Sequence, residues 1–109
     1  MTNQFMYAIA SRETGPVKMG ISADPDRRLR DLQTGHPEPL TVYYREPVAV
    51  DRVRLYERLL HRDNAHTRRH GEWFNLSVEQ ATAYIIFTTI EYDLVPTETL
   101  RRQLTHCRY

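Results

Sequence analysis

Tyr7, Lys18, Arg28 and Glu57 supply a phenol, an amine, a guanidinium and a carboxylate from four separate stretches of the chain. If the fold gathers them, the set has a definite chemistry. A guanidinium pairs with phosphate oxygens through two parallel N–H donors. A carboxylate facing it can hold a hard divalent cation, and a phenol beside an ammonium, which favours the phenolate and so lowers the phenol pKa, can orient or deprotonate a water molecule. The expectation is a metal-dependent attack of water on a phosphodiester. Gly20, on the same strand as Lys18, would leave one wall of the hollow bare.

Two strands and two helices have to carry these groups. Residues 4–10 (QFMYAIA) place Phe5, Tyr7 and Ile9 on one face and Met6, Ala8 and Ala10 on the other, so both faces are apolar. A strand buried on both sides is usually central in its sheet. The turn cluster Arg12-Glu13-Thr14-Gly15-Pro16 leads into residues 17–22 (VKMGIS), where Val17, Met19 and Ile21 oppose Lys18, Gly20 and Ser22. A glycine inside a strand marks either a close approach by other atoms or a bulge, and both readings stand for Gly20.

Asp24 caps and Pro25 opens a first helix that should end near Gly35. Arg30 has Asp26, and Arg27 has Asp31, one turn away as ordinary surface partners. Arg28 shares the sheet-facing side with Pro25 and Leu32. There it either meets an anion or lies at the edge with its stem buried. His36-Pro37-Glu38-Pro39 forms a rigid loop without an assigned role, and residues 39–48 (PLTVYYREPV) read as a third strand. Tyr43 and Tyr44 should point to opposite faces as packing residues, so at most one reaches the hollow.

A second helix runs from about Val50 to Arg68 with an apolar stripe of Val53, Tyr56, Leu59 and Leu60. At roughly 100° per residue Glu57 lies about 40° from Val53, within or beside the buried face. A buried carboxylate needs a cation, a metal or donors. The alternatives are a metal or cationic site and an intrahelical pair with Arg54 or His61. His61 faces the same side as Glu57 and could orient it. His66 and His70, one turn apart if the helix continues, could share a transition metal, but no cysteine or second carboxylate completes a tetrahedral set. The segment from His61 to His70 reads better as a basic, phosphate-facing surface. Trp73 and Phe74 should anchor it to the core, with base stacking open to Trp73.

Ser77 and Gln80 form a capping box for a third helix through about Tyr92, although Tyr84 to Ile90 is β-branched enough to pass for a strand. A short helix from Glu98 to Leu104 should pack on the outside. The whole, residues 1–109, reads as a single α/β (α+β) domain: a small three-stranded mixed or antiparallel sheet flanked by three or four helices.

Composition narrows the function classes. An apolar share of 40% with 10% aromatics supports a core and argues against disorder. No stretch has the length of a membrane span, and the start MTNQFMYAIA lacks a basic n-region and a long apolar stretch, so a soluble cytoplasmic location is expected. The lone Cys107 forms no internal disulfide and no motif surrounds it. Net charge is only +1, but Lys18 is the only lysine among 15 basic residues, and the arginine bias keeps nucleic acid open as a partner.

The pieces F-M-Y-A-I at 5–9, V-K-M-G-I-S at 17–22, D-P-D-R-R-L at 24–29, E-R-L-L-H at 57–61 and G-E-W-F at 71–74 resemble, in order and spacing, the GIY-YIG nuclease superfamily. The likeness is greatest to its small stand-alone branch from phages and bacteria. It covers most of the first three quarters of the chain and nothing after about residue 77. By that resemblance Tyr7 takes the place of the first-motif tyrosine, Gly20 of the second-motif glycine, Arg28 of the helix arginine and Glu57 of the metal-binding glutamate. Phe5 and Met6 replace the usual glycine and isoleucine. Lys18 stands where a second tyrosine is usual, a lysine that occurs in parts of the superfamily. The resemblance implies hydrolysis of a phosphodiester in DNA with one Mg²⁺ or Mn²⁺. The competing expectation is a DNA-binding module that kept the scaffold and lost the chemistry.

Overall fold

Tyr7 and Gly20 face each other across the central ladder of one antiparallel sheet. The structure, a computed structural model, describes residues 3–105; Cys107 lies outside them. Strands β1 (Gln4–Ala10) and β2 (Val17–Ser22) have the bounds that the period-two pattern predicts. They are followed by helix α1 (Pro25–Gln33), strand β3 (Thr41–Val48), helix α2 (Val53–Asp63), two short strands β4 (Arg68–His70) and β5 (Trp73–Phe74), and helices α3 (Val78–Asp93) and α4 (Thr97–Gln103). The strand order is β3-β1-β2-β5-β4, so the class is α+β as expected, with five strands in place of three.

The sheet is covered on both faces. Met6, Ala8, Ala10, Val17 and Met19 form the larger core with Leu55, Tyr56, Leu59 and Leu60 of α2 and with α3 and α4. Tyr7, Ile9 and Leu40 form a smaller one under Leu29 and Leu32 of α1. Leu100 and Leu104 are fully buried in the larger core, so the last helix does not simply lie on the outside. Tyr43 and Tyr44 both pack against the larger core, because a register shift opposite Ala8 and Ile9 breaks the strict alternation of β3. Neither reaches the hollow.

Asp24 accepts from the Arg27 amide at 3.1 Å and starts α1 as the sequence predicts, but the helix stops at Thr34 and Gly35 keeps an ordinary negative φ. Asp26 pairs with Arg45 of β3 at 2.7 Å, a cross-element partner in place of the expected Arg30. The second helix ends at Asp63, short of Arg68. Buried Asn64 turns its side-chain amide back to the Leu60 carbonyl (2.8 Å), and its own backbone N–H goes to the same oxygen. Thr67 then accepts from Asn75 at 2.7 Å, and β4 folds back on β5. The β-branched stretch of α3 is helical: the Ser77–Gln80 capping box forms, and Thr89 Oγ1 donates to the Ile85 carbonyl.

Gly15 carries the turn between β1 and β2. Its φ is +81°, and a Cβ there would stand 2.0 Å from the Leu76 carbonyl oxygen. Both facts exclude a side chain. Gly15→Ala is expected to lower stability by at least about 2 kcal/mol. Gly35→Ala, which meets nothing within 4 Å, should stay within about 0.5 kcal/mol of the parent. Urea denaturation of the two variants checks this; equal midpoints would contradict it.

Candidate active site

β1 and β2 are antiparallel neighbours in which Tyr7 pairs with Gly20 and Ile9 with Lys18. Tyr7, Lys18 and Gly20 therefore share the sheet face under α1. Tyr7 is 1% exposed, and its hydroxyl lies over Gly20: a Cβ on Gly20 would fall 2.6 Å from that oxygen and 2.9 Å from Glu72 Oε2. Of the two meanings open for this glycine, close approach is the one realised.

Arg28, in the first turns of α1, is half-buried with its guanidinium beside the Tyr7 hydroxyl. It meets the phenol at the hollow, not the open edge of the sheet. Burial pushes the Tyr7 pKa above its ordinary value, Arg28 draws it down less strongly, and the charges of Glu72 and Glu57 raise it further. The expected lowering by Lys18 is absent. Lys18 lies two residues along β2 from the glycine under the phenol, and its ammonium is turned to Glu72 Oε1 at 3.6 Å. Burial moves the Lys18 pKa down, against the pull of Glu72. In this arrangement Tyr7 is a neutral phenol at neutral pH.

Glu57 and His61 come from the other side of the sheet, on α2. β5 pairs only with Val17 and Lys18 of β2, and α2 packs against β2. Glu57, His61, Arg54 and Arg58 line a hollow of about 280 Å³. The Glu57 carboxyl has a raised pKa, first from burial and then from the charge of Glu72, with His61 and Arg54 opposing. The His61 ring tilts against Phe74 at 6.3 Å. Tyr7, Lys18, Gly20 and Arg28 are thus brought together around Glu72, whose charge also bears on Glu57 in its own hollow beside His61.

Glu72 is the residue that sequence reasoning missed. It sits in the β4–β5 turn, where its carbonyl accepts from the Met19 amide at 3.1 Å and its carboxylate reaches Lys18, Gly20 and the Tyr7 phenol. Its signal was present: a single acid after Gly71, closing a basic run and leading into Trp73-Phe74. His66 and His70 are both exposed. With α2 ended at Asp63 they share no helix face, and among the described residues no group of three His, Cys, Asp or Glu could hold a metal.

The sequence model of the T5orf172 domain matches residues 4–89. The chain belongs to that family. The T5orf172 domain is nuclease-related. The matched range includes Tyr7, Lys18, Gly20, Arg28, Glu57, His61 and Glu72 and leaves out α4. No curated protein and no solved structure gives a significant match. Among the described residues no helix is long and apolar enough to cross a membrane.

Burial, and then the charge of Glu72, raise the cost of ionising Glu57 and make this T5orf172 domain less stable than it need be. A folded-state pKa above the ordinary value means that the stability tied to neutral Glu57 is present below the usual carboxylate range. It is lost as pH rises through the folded value. Glu57→Gln should therefore raise the melting temperature at pH 7 in EDTA, with the gain fading as the pH falls to 4. Thermal melts across that range test the sign, and a lower melting temperature for the variant at pH 7 would contradict it.

Proposed function

We propose that this T5orf172 domain is a metal-dependent endonuclease of the GIY-YIG type that hydrolyses phosphodiester bonds in DNA. What supports the reading is the meeting of Tyr7, Arg28 and the Glu72 carboxylate at bare Gly20, with Glu57 close enough to feel the charge of Glu72. A purely binding surface has no use for two half-buried acids facing an arginine and a phenol.

The donor set suits Mg²⁺ or Mn²⁺. These hard ions are held by one or two carboxylates, with water and substrate phosphate filling the remaining positions. Glu57 would be the principal ligand, and Glu72 is placed to be the second when it is not engaged by Lys18. When bound, the ion supplies Lewis acidity at a phosphate oxygen and stabilises charge on the leaving oxygen.

The chain's own residues do the rest. Arg28 pairs with a non-bridging phosphate oxygen as negative charge builds up. That exchange releases the Tyr7 hydroxyl to orient the attacking water. Desolvation pushes both Tyr7 and Lys18 toward their neutral forms. Tyr7 orients the attacking water and Lys18, on the same sheet face, completes the pair that activates the nucleophile. The water oxygen forms the new P–O bond, the bond to the leaving oxygen breaks, and His61 keeps Glu57 oriented.

Plasmid cleavage in Mn²⁺ tests the assignment. Tyr7→Phe and Arg28→Ala should each lose about 100-fold or more in rate, and Glu57→Ala should lose all metal-dependent cleavage. Undiminished cutting by the Glu57 variant would remove it from the metal site. Salt-sensitive DNA binding by the parent without cutting in any divalent ion would establish the DNA-binding module instead.

A further inference from the structure

On the same sheet face as the catalytic group, a second hollow of about 440 Å³ opens between the C-terminal end of α1 and the β4–β5 turn. Pro16 and Leu32 give it apolar walls, Trp73 and His36 give it aromatic ones, and Arg69 and His70 lie exposed at its rim with one acid, Asp31. The metal-dependent chemistry uses none of them. Trp73 pairs directly with Lys18 across β5 and β2, and the Lys18 ammonium lies 5.8 Å from the indole centroid. The indole is therefore shared between the catalytic hollow and this one.

The aromatic wall is held in place before any ligand arrives. His36 stacks on Trp73 with centroids 5.7 Å apart and planes 24° apart. The loop that carries His36 is spanned by the Gln33 amide, which accepts from Leu40 N at 2.7 Å and donates to the Glu38 carbonyl at 2.9 Å. Arg12 ties Glu38 to the turn after β1 with two bonds of 3.0 Å. A loop fixed this firmly loses little freedom when something docks against it.

We propose that this hollow takes up an unpaired nucleobase of the bound strand, next to the phosphate that is cut. The inference rests on the nuclease reading and narrows its substrate to strands with an accessible base: single-stranded DNA, or a duplex from which a nucleotide is extruded. Aromatic walls accept the face of any base, and the basic rim matches that nucleotide's phosphate. A base kept in a duplex stack presents no free face to such a wall.

Trp73 is the chain's only tryptophan, so its fluorescence reports on this wall directly. Parent protein in EDTA, which prevents cutting, is titrated with fluorescein-labelled oligothymidylate, an abasic oligomer of the same length and a hairpin duplex. Anisotropy reads binding and indole emission reads stacking. Saturable quenching should accompany oligothymidylate binding and be missing with the abasic strand and the duplex. His36→Ala and Arg69→Ala should each weaken oligothymidylate about tenfold. His36→Ala should leave abasic binding unchanged, with far-UV circular dichroism confirming the fold. Equal binding of thymidylate and abasic strands with silent emission would overturn the base pocket while the nuclease reading stands. An absence of binding to any oligomer, together with no cleavage, would overturn both.

Discussion

The Tyr7 hydroxyl occupies the space that a side chain at residue 20 would fill, and the geometry of the candidate site follows from that contact. With only a hydrogen on the Gly20 Cα, the phenol can lie flat across β2 and bring its oxygen to Arg28 and to the Glu72 carboxylate. The antiparallel pairing of β1 with β2 sets the contact, since it places Tyr7 directly opposite Gly20. Lys18, two residues along on the same face, then reaches Glu72 and Trp73. A slip of one residue in that ladder would turn Lys18 and Gly20 to the far side of the sheet.

Burial makes the same hollow electrostatically uncomfortable. Burial and the charge of Glu72 raise the Glu57 pKa, an ammonium sits 6% exposed with a carboxylate 3.6 Å away, and the phenol is held neutral. Structure alone gains little from such an arrangement, because apolar residues of similar volume would pack there at lower cost. Clustered perturbed groups of this kind are characteristic of sites that do chemistry, where stability is given up for function.

Much of this was legible because it depends on local patterns. β1 and β2 follow period-two alternation, α1 follows its Asp24 cap and Pro25, and α3 follows the Ser77–Gln80 box. Tyr7, Lys18, Gly20 and Arg28 lie on those elements, so their convergence could be anticipated. What escaped depends on tertiary contact. β4 and β5 are three and two residues long, too short to show any period, and with them went the position of Glu72. The end of α2 is set by a buried asparagine reaching back one turn, which helix propensity does not register. The bulge in β3 comes from its pairing with β1, not from its own composition. The sign of the Tyr7 shift was misread because proximity to an ammonium is visible in a strand register, whereas desolvation is visible only once the core is assembled.

The catalytic group draws on both layers of the sheet: Tyr7, Lys18 and Arg28 from beneath α1, and Glu57 from a helix whose apolar side belongs to the opposite core. Its last member, Glu72, arrives in the β4–β5 turn far downstream. A ribosome-bound chain that has exposed only the hairpin and α1 holds a phenol and an arginine but neither acid. Cutting power would thus be withheld from unfinished or misassembled copies. For the proposed endonuclease, that delay is a safeguard arising from topology alone.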